Sequence, residues 1–305
     1  MNTKKIISYL ILFALMAFSL MGCGNIKITA NSKDVKEYNI DDIKEENIEK
    51  INQICIEDMS GDINIIPENR QNVKIHMYGK VFTTSEDRVP NLSALVEEDK
   101  LIVKSKKKSN TNAGVYNSDV KVDVYLPKSY KEKLLIDCSL ANISIKNSKF
   151  ISLECKLNVG EIEMENLEVE TFNVKASTAN IEGKRIKTQD SKVEVSLGNI
   201  DIDEFDGNLE ATVSSGDIDI CYSKLDYDIE LTSTLGDISL MLPNNVEFDL
   251  DTEVSLGSIE CEFPVNIKEK ADKKQLKGKV KNGENKVKIR ASSGDVKIKQ
   301  KIVKS

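Results

Sequence analysis

The chain has 305 residues, with 43 basic and 50 acidic side chains, one histidine, six cysteines and no tryptophan. A hydrophobic content of 40% is too high for a disordered chain, and the length allows a sizeable core or two domains. One histidine rules out a histidine-rich metal site, 5% aromatics without tryptophan argue against a sugar-stacking cleft, and a formal charge of −7 argues against bulk nucleic-acid binding.

Residues 1–22 read as an export signal. Lys4 and Lys5 precede an apolar run, Ile6 to Leu20, that is shorter than the roughly 20 residues of a comfortable membrane span. Leu20-Met21-Gly22-Cys23 resembles the bacterial lipobox. Cleavage after Gly22 would leave Cys23 as a diacylated, palmitate-bearing N-terminus on the extracytoplasmic face of the cell membrane. The alternative is an ordinary signal peptide with an incidental cysteine. Losing Lys4 and Lys5 takes the formal charge from −7 to −9. Residues 23–48, rich in Lys, Asp, Glu and Asn, read as a polar tether with room for one early strand.

Residues 49–130 are expected to hold N-terminal β rungs with inserted loops, and residues 131–300 a regular array. A unit recurs around a small residue: a hydroxyl residue, any residue, Gly or Ala, a turn-forming polar residue, Ile or Val, polar, apolar. Its centres are Gly61, Ala141, Gly160, Ala179, Gly198, Gly216, Gly236, Gly257 and Gly294. From 141 to 257 they lie 19, 19, 19, 18, 20 and 21 residues apart, and the outer gaps of 80 and 37 approximate four and two such steps. Two residues after each centre stands Ile or Val, and three after stands a polar residue, in every copy. Alternation with period two on both sides of a small residue predicts strand, tight turn, strand. Gly suits positive φ at such a turn, and Asp or Asn bonds back to the local backbone.

One unit cannot bury its own apolar face; stacked units can. The expected fold is all-β, a single-stranded β-helix or β-solenoid with rungs of about 19 residues. If residues 50–300 are mostly rungs, about a dozen stack into a rod about 60 Å long. A β-sandwich with regular hairpins is the alternative.

The columns also place the cysteines. Cys138, Cys155 and Cys261 fall inward and Cys221 outward, and no close pair suggests a zinc site or a disulfide framework. His76 reads as a strand-surface residue, and no Gly-x-Ser-x-Gly elbow accompanies it. No catalytic residue, metal ligand or cofactor is therefore assigned. Carboxylates are plentiful, which keeps a cell-wall polysaccharide enzyme as an alternative. The column Asp62, Asn142, Asn199, Asp217, Asp237 and Asp295 could hold stacked calcium ions or, more simply, a ladder of turn residues. Residues 154–253 carry 24 acids and 7 bases, whereas 268–290 carry 10 bases and 3 acids within an expected basic loop, 265–286. Lys106, Lys107 and Lys108 form one basic cluster, and Lys273, Lys274 and Lys277 belong to the other. Both could contact anionic envelope polymers or lipid headgroups, or could simply be solvated.

The repeated Ser-x-Gly-Asp-Ile-x-Ile unit resembles the bacterial candidate-adhesin β-strand-repeat family (domain of unknown function 4097) and its relative, the head-GIN autotransporter-adhesin domain. The likeness spans about residues 36–300 and includes the Ile54–Ile65 strand pair, Lys100-Leu101-Ile102-Val103 and Val120–Pro127. Ala141 and Ala179 stand where the pattern has Gly, and Asn158-Val159 where it has a Ser pair. The resemblance implies an envelope-associated, β-helical, non-enzymatic protein. The expected function is a lipid-anchored adhesin-like or structural role, with an anionic envelope polymer, a cationic peptide or another envelope protein as partner. An envelope-stress or antimicrobial-peptide sensing component is the second reading.

Overall fold

The computed structural model describes residues 35–109, 115–267 and 274–301. Within them lie nineteen strands joined in one sheet, and no α-helix. The coil around Gly160 shows why the sequence winds. Leu153, Cys155 and Leu157 face in, then Ile162 and Met164, then Leu167 and Val169, all buried. Between these groups two consecutive residues point out: Asn158-Val159, Glu165-Asn166 and Glu170-Thr171. Each doublet breaks the alternation and turns the chain, so every coil has three short sides. Successive coils pair in parallel and in register, as in Ile181 with Ile200 and Ile200 with Ile218. Their aliphatic side chains merge into one continuous dry core. This is the expected all-β solenoid.

The array begins with β1 (Lys36–Asn47), β2 (Gln53–Glu57), β3 (Ser60–Glu68), β4 (Asn72–Thr83), β5 (Asn91–Glu97), β6 (Lys100–Lys106) and β7 (Tyr116–Pro127). β8 (Lys133–Leu197) is extended without a break through three and a half coils. Then follow β9 (Ile200–Asp206), β10 (Leu209–Ser215), β11 (Ile218–Tyr222), β12 (Ile229–Leu235), β13 (Ile238–Pro243), β14 (Phe248–Leu256) and β15 (Ile259–Cys261). Last come β16 (Val265–Ile267), β17 (Gln275–Val280), β18 (Lys286–Ser293) and β19 (Val296–Lys301).

Stacking order is not chain order at either end. β2 lies between β6 and β8, and β3 between β7 and β8, so the coil 53–66 sits inside the coil 100–127 that follows it. Likewise β18 lies between β12 and β14, and β19 between β13 and β15. The gaps of 80 and 37 residues therefore do not hold runs of regular rungs, contrary to expectation. Ten levels stack among the described residues, about 43 Å at the usual strand spacing. The remaining length forms antiparallel caps. β4 pairs with β7, β1 with β4 and β5 with β6 at one end. β17 pairs with β14 and β16 with β17 at the other. The expected tether 23–48 thus ends in a cap strand, and the expected basic loop 265–286 contains two more. These caps cover edges that would otherwise offer unpaired backbone to other chains.

Charge explains the inserted C-terminal coil. In chain order Glu230 would stack on Asp251. With β18 between them, Lys288 is in register with both. Lys288 Nζ lies 2.6 Å from Glu230, and Arg290 lies 2.8 Å from Asp251. Lys297 is likewise in register with Glu260. Opposite charges on adjacent strands are worth roughly 0.2–1 kcal/mol per pair, and like charges cost a similar amount.

Candidate functional site

At the first corner of each coil stands the small residue of the repeat. Gly160 has φ +146°, and a β-carbon there would lie 1.8 Å from the Ala141 carbonyl oxygen of the coil beneath. Gly216 and Gly236 meet the same obstacle from Gly198 and Gly216. The requirement is therefore both conformational and steric. Ala141 and Ala179 are buried within the unbroken extended run of β8 and are not among the positive-φ residues. Beside them the Asp/Asn column forms a hydrogen-bonded ladder. Asn199 N–H donates to Asn180 Oδ1 (3.1 Å), Asp217 N–H to Asn199 Oδ1 (2.9 Å), and Asp237 N–H to Asp217 Oδ1 (2.7 Å). Asp295 N–H donates to Asp237 Oδ1 (2.8 Å), and Ser258 N–H to Asp295 Oδ1 (2.8 Å). These oxygens serve the backbone of the next coil, which gives the column a structural purpose without calcium.

The second corner was not recognised in the sequence. Asn147, Asn166, Arg185 and Glu204 have φ between 52° and 57° and recur every 19 residues. Asn166 Nδ2 donates to Asn147 Oδ1 (2.8 Å), and Arg185 bonds Asn166 and Glu165. After glycine, Asn is among the residues most at ease at such φ, so Asn147 and Asn166 at the rung spacing were the available signal. The third corner carries another ladder. Asn208 Nδ2 donates to Asp190 Oδ1 (3.0 Å), Asp228 N–H to Asn208 Oδ1 (3.0 Å), and Lys286 N–H to Asp228 Oδ1 (2.7 Å).

With the corners satisfied internally, the flat sides remain as candidate surfaces. On one side Glu182, Asp201 and Asp219 stack in register, about 4.8 Å apart, with no intervening cation. Burial, then Asp219 and Asp203, push the Asp201 carboxyl above its ordinary range. Beside the glycine corner, the outward position holds exposed Leu140, Val159, Leu197, Leu235 and Leu256, interrupted by Thr178, Ser215 and Ser293, so that Leu197 alone lies at a level of the array.

The two basic clusters are not brought together. Lys106, Lys107 and Lys108 lie at the β6 end, and Lys274 and Lys277 at the β17 end, on opposite caps. Lys277 faces Asp251 at 3.6 Å, and Lys274 Nζ donates to the Ser255 carbonyl (2.6 Å), so the C-terminal pair is engaged in its own cap. Lys107 Nζ sits 4.1 Å from the Tyr116 ring centroid, and the Arg88 guanidinium 4.7 Å from it. Lys273, Gly22 and Cys23 lie outside the described residues.

No other cluster among the described residues has the geometry of an activated site. Cys55, Cys138 and Cys155 are buried, and burial pushes the Cys138 thiol up to about 11. Cys221 and Cys261 are half-buried, and burial raises both thiols. Cys261 departs from its expected buried position because β15 is paired on one side only. His76 stands on β4, 2.7 Å from Asp41. The buried Asp123 accepts from Asn64 of β3 (2.7 Å), from Tyr78 of β4 (3.2 Å) and from Tyr125 two residues along its own strand (3.1 Å).

A family model described as Toastrack DUF4097 matches residues 51–299. A candidate adhesin of Bacteroides fragilis, known from its crystal structure, shares 13% identity and superposes with a TM-score of 0.50. The alignment covers 86% of this chain and 97% of that one, and shows a common fold. A candidate cell adhesion protein of Clostridium sporogenes (13% identity, TM-score 0.25, covering 87% of this chain and 100% of that one) matches too loosely to support an argument. The same holds for a candidate adhesin of Parabacteroides merdae (15% identity, TM-score 0.30, 87% and 95%). No curated protein matches the chain.

Proposed function

The chain belongs to the Toastrack DUF4097 family, and we propose that it serves as a lipid-anchored, non-enzymatic, adhesin-like binding rod of the bacterial cell envelope. The observation that carries this reading is the uncompensated carboxylate array. At the C-terminal end the fold interposes Lys288 between Glu230 and Asp251. On the Glu182–Asp201–Asp219 side it stacks acid on acid. An array that costs stability and stands in register on a stiff scaffold is suited to bind a cationic partner. Exposed Leu197 at the level of Asp201, with Val159 and Leu235 at the levels just outside the array, adds apolar contact, which favours a basic amphipathic peptide segment over a simple polycation. Lipidation at Cys23 would hold the rod at the extracytoplasmic surface. The name of the Bacteroides fragilis neighbour agrees with an adhesive role.

Binding of a basic amphipathic peptide and of an anionic wall polymer, each followed through a salt titration, tests the proposal. The peptide should bind, weaken with salt, and lose most of its affinity to Glu182→Lys with Asp201→Lys and Asp219→Lys. The same substitutions should leave the melting temperature unchanged or raised. Peptide binding indifferent to the triple substitution would overturn the assignment of this side. Selective retention of the wall polymer would instead favour the basic caps.

A further inference from the structure

The N-terminal cap has one corner at which three features meet. β1 begins at Lys36, which is in register with Thr83 of β4, and Thr83 is in register with Tyr116 of β7. Tyr116 is the ring that both Arg88 and Lys107 approach. The tether therefore enters the folded body at the basic cluster rather than at the other end of β1, where Asn47 pairs with Asn72. Lys36, Lys80, Arg88, Lys106, Lys107 and Lys108 gather there, and the acids of the same corner are Glu37, Glu86, Asp87 and Asp119. Glu37 is already held by Lys80 at 2.6 Å. Lys36, Lys106 and Lys108 are exposed.

We infer that this corner is a membrane-facing foot that docks on the phosphates of anionic lipid headgroups. The inference deepens the lipid-anchoring reading above and rests on it. Twelve residues separate Cys23 from Lys36. Whatever their path, they can reach no more than about 45 Å, so this corner is the part of the folded body held nearest to the bilayer to which Cys23 would be attached. Such tethering turns a weak electrostatic contact into an effectively intramolecular one. Docking at this end points the ten levels, and the carboxylate array with them, away from the surface. An anionic membrane would repel that array, so the charge distribution favours end-on over side-on contact, and the position of the tether selects this basic cap over the β17 one.

The chain has no tryptophan, so one introduced tryptophan reports its own surroundings. Acylated full-length chain carrying Tyr116→Trp is mixed with vesicles of phosphatidylcholine alone, or of phosphatidylcholine with phosphatidylglycerol, each containing lipid brominated near the headgroup. Quenching should be about twofold greater on the anionic vesicles, and should be lost in high salt and on combining Lys106→Glu, Lys107→Glu and Lys108→Glu. Tyr227→Trp, several levels up the rod, should stay unquenched on both. Tyr38→Trp, on β1 beside this corner, gives the same readout if position 116 rejects the larger ring. Co-sedimentation with phosphatidylcholine alone reports the anchor separately. Sedimentation on both vesicle types with equal quenching overturns the foot and leaves the anchor standing. No sedimentation with phosphatidylcholine overturns both.

Discussion

A corner glycine in this fold faces two demands at once, and they can be separated by substitution. Gly160→Ala places a β-carbon 1.8 Å from the Ala141 carbonyl at φ +146°. It should destabilise the chain by about 1–3 kcal/mol in denaturant melts. Ala141→Gly, in ordinary extended backbone, should cost only about 0.5–1 kcal/mol. Equal effects would show that the two positions are not sterically distinct. Asp201 supplies the residue-scale pH dependence. Its carboxyl is held above the ordinary 3.8 by burial and by Asp219 and Asp203, so the fold disfavours its ionised form. That penalty is fully present above the raised pKa and is relieved as pH falls through it. Asp201→Asn should therefore raise the melting temperature at neutral pH. It should also shrink the gain otherwise seen on acidifying towards the ordinary carboxylate range. Glu168 works with the opposite sign. The hydrogen bond from Lys149 keeps its pKa low, so its contribution is lost as pH falls.

Among the elements, β18 and β19, like β2 and β3 at the other end, have places that could not be taken from chain order. A parallel ladder accepts any strand with the right alternation, because the backbone bonds are the same for each. What selects the neighbour is the set of side chains stacked outside the core. Glu230 meets Lys288, and Lys288 meets Asp251. A cysteine pair tests this arrangement. Glu230→Cys with Lys288→Cys should close a disulfide under mild oxidation, found by peptide mapping. Glu230→Cys with Asp251→Cys should not, since a whole strand separates them. In the chain-entropy picture the first bridge should also stabilise by about 4 kcal/mol, given the length of the loop it closes. A bridge forming only in the second variant would restore chain-order stacking.

Viewed whole, the molecule is quasi-one-dimensional: each inner coil touches mainly the coils above and below, and the caps close the ends. Residues 171–189 are one complete 19-residue coil, and their removal joins Glu170 to Asp190 without shifting any inward column. The shortened chain should remain folded and cooperative, with its long dimension in small-angle scattering reduced by about 4.8 Å. Loss of cooperative unfolding would mean that the coils are not interchangeable. The ends are chemically distinct from the middle. Cations gather at the β6 cap and at the β17 cap, and acids dominate the coils between. That polarity lets one end contact an anionic surface while the length of the rod meets a cationic partner.

Local alternation was enough to make the core readable before any coordinates. Ile143, Ile162, Ile200 and Ile218 recur at the rung spacing because a strand reverses faces at every residue, and all four lie in the shared interior. The glycine corner was readable for the same reason. The Asn147–Asn166 corner was less so, since Arg185 and Glu204 continue it with side chains that carry no turn signature. Only the tertiary structure decided which coil lies on which, how many levels there are, and that the two lysine clusters occupy opposite ends. Those outcomes depend on pairings between residues far apart in the chain, such as Glu230 with Lys288 and Lys36 with Thr83. A repeat makes its coils alike in backbone and core, so periodicity cannot rank possible neighbours. The choice falls to the few outward side chains that differ from coil to coil, and their partners exist only once the chain has wound.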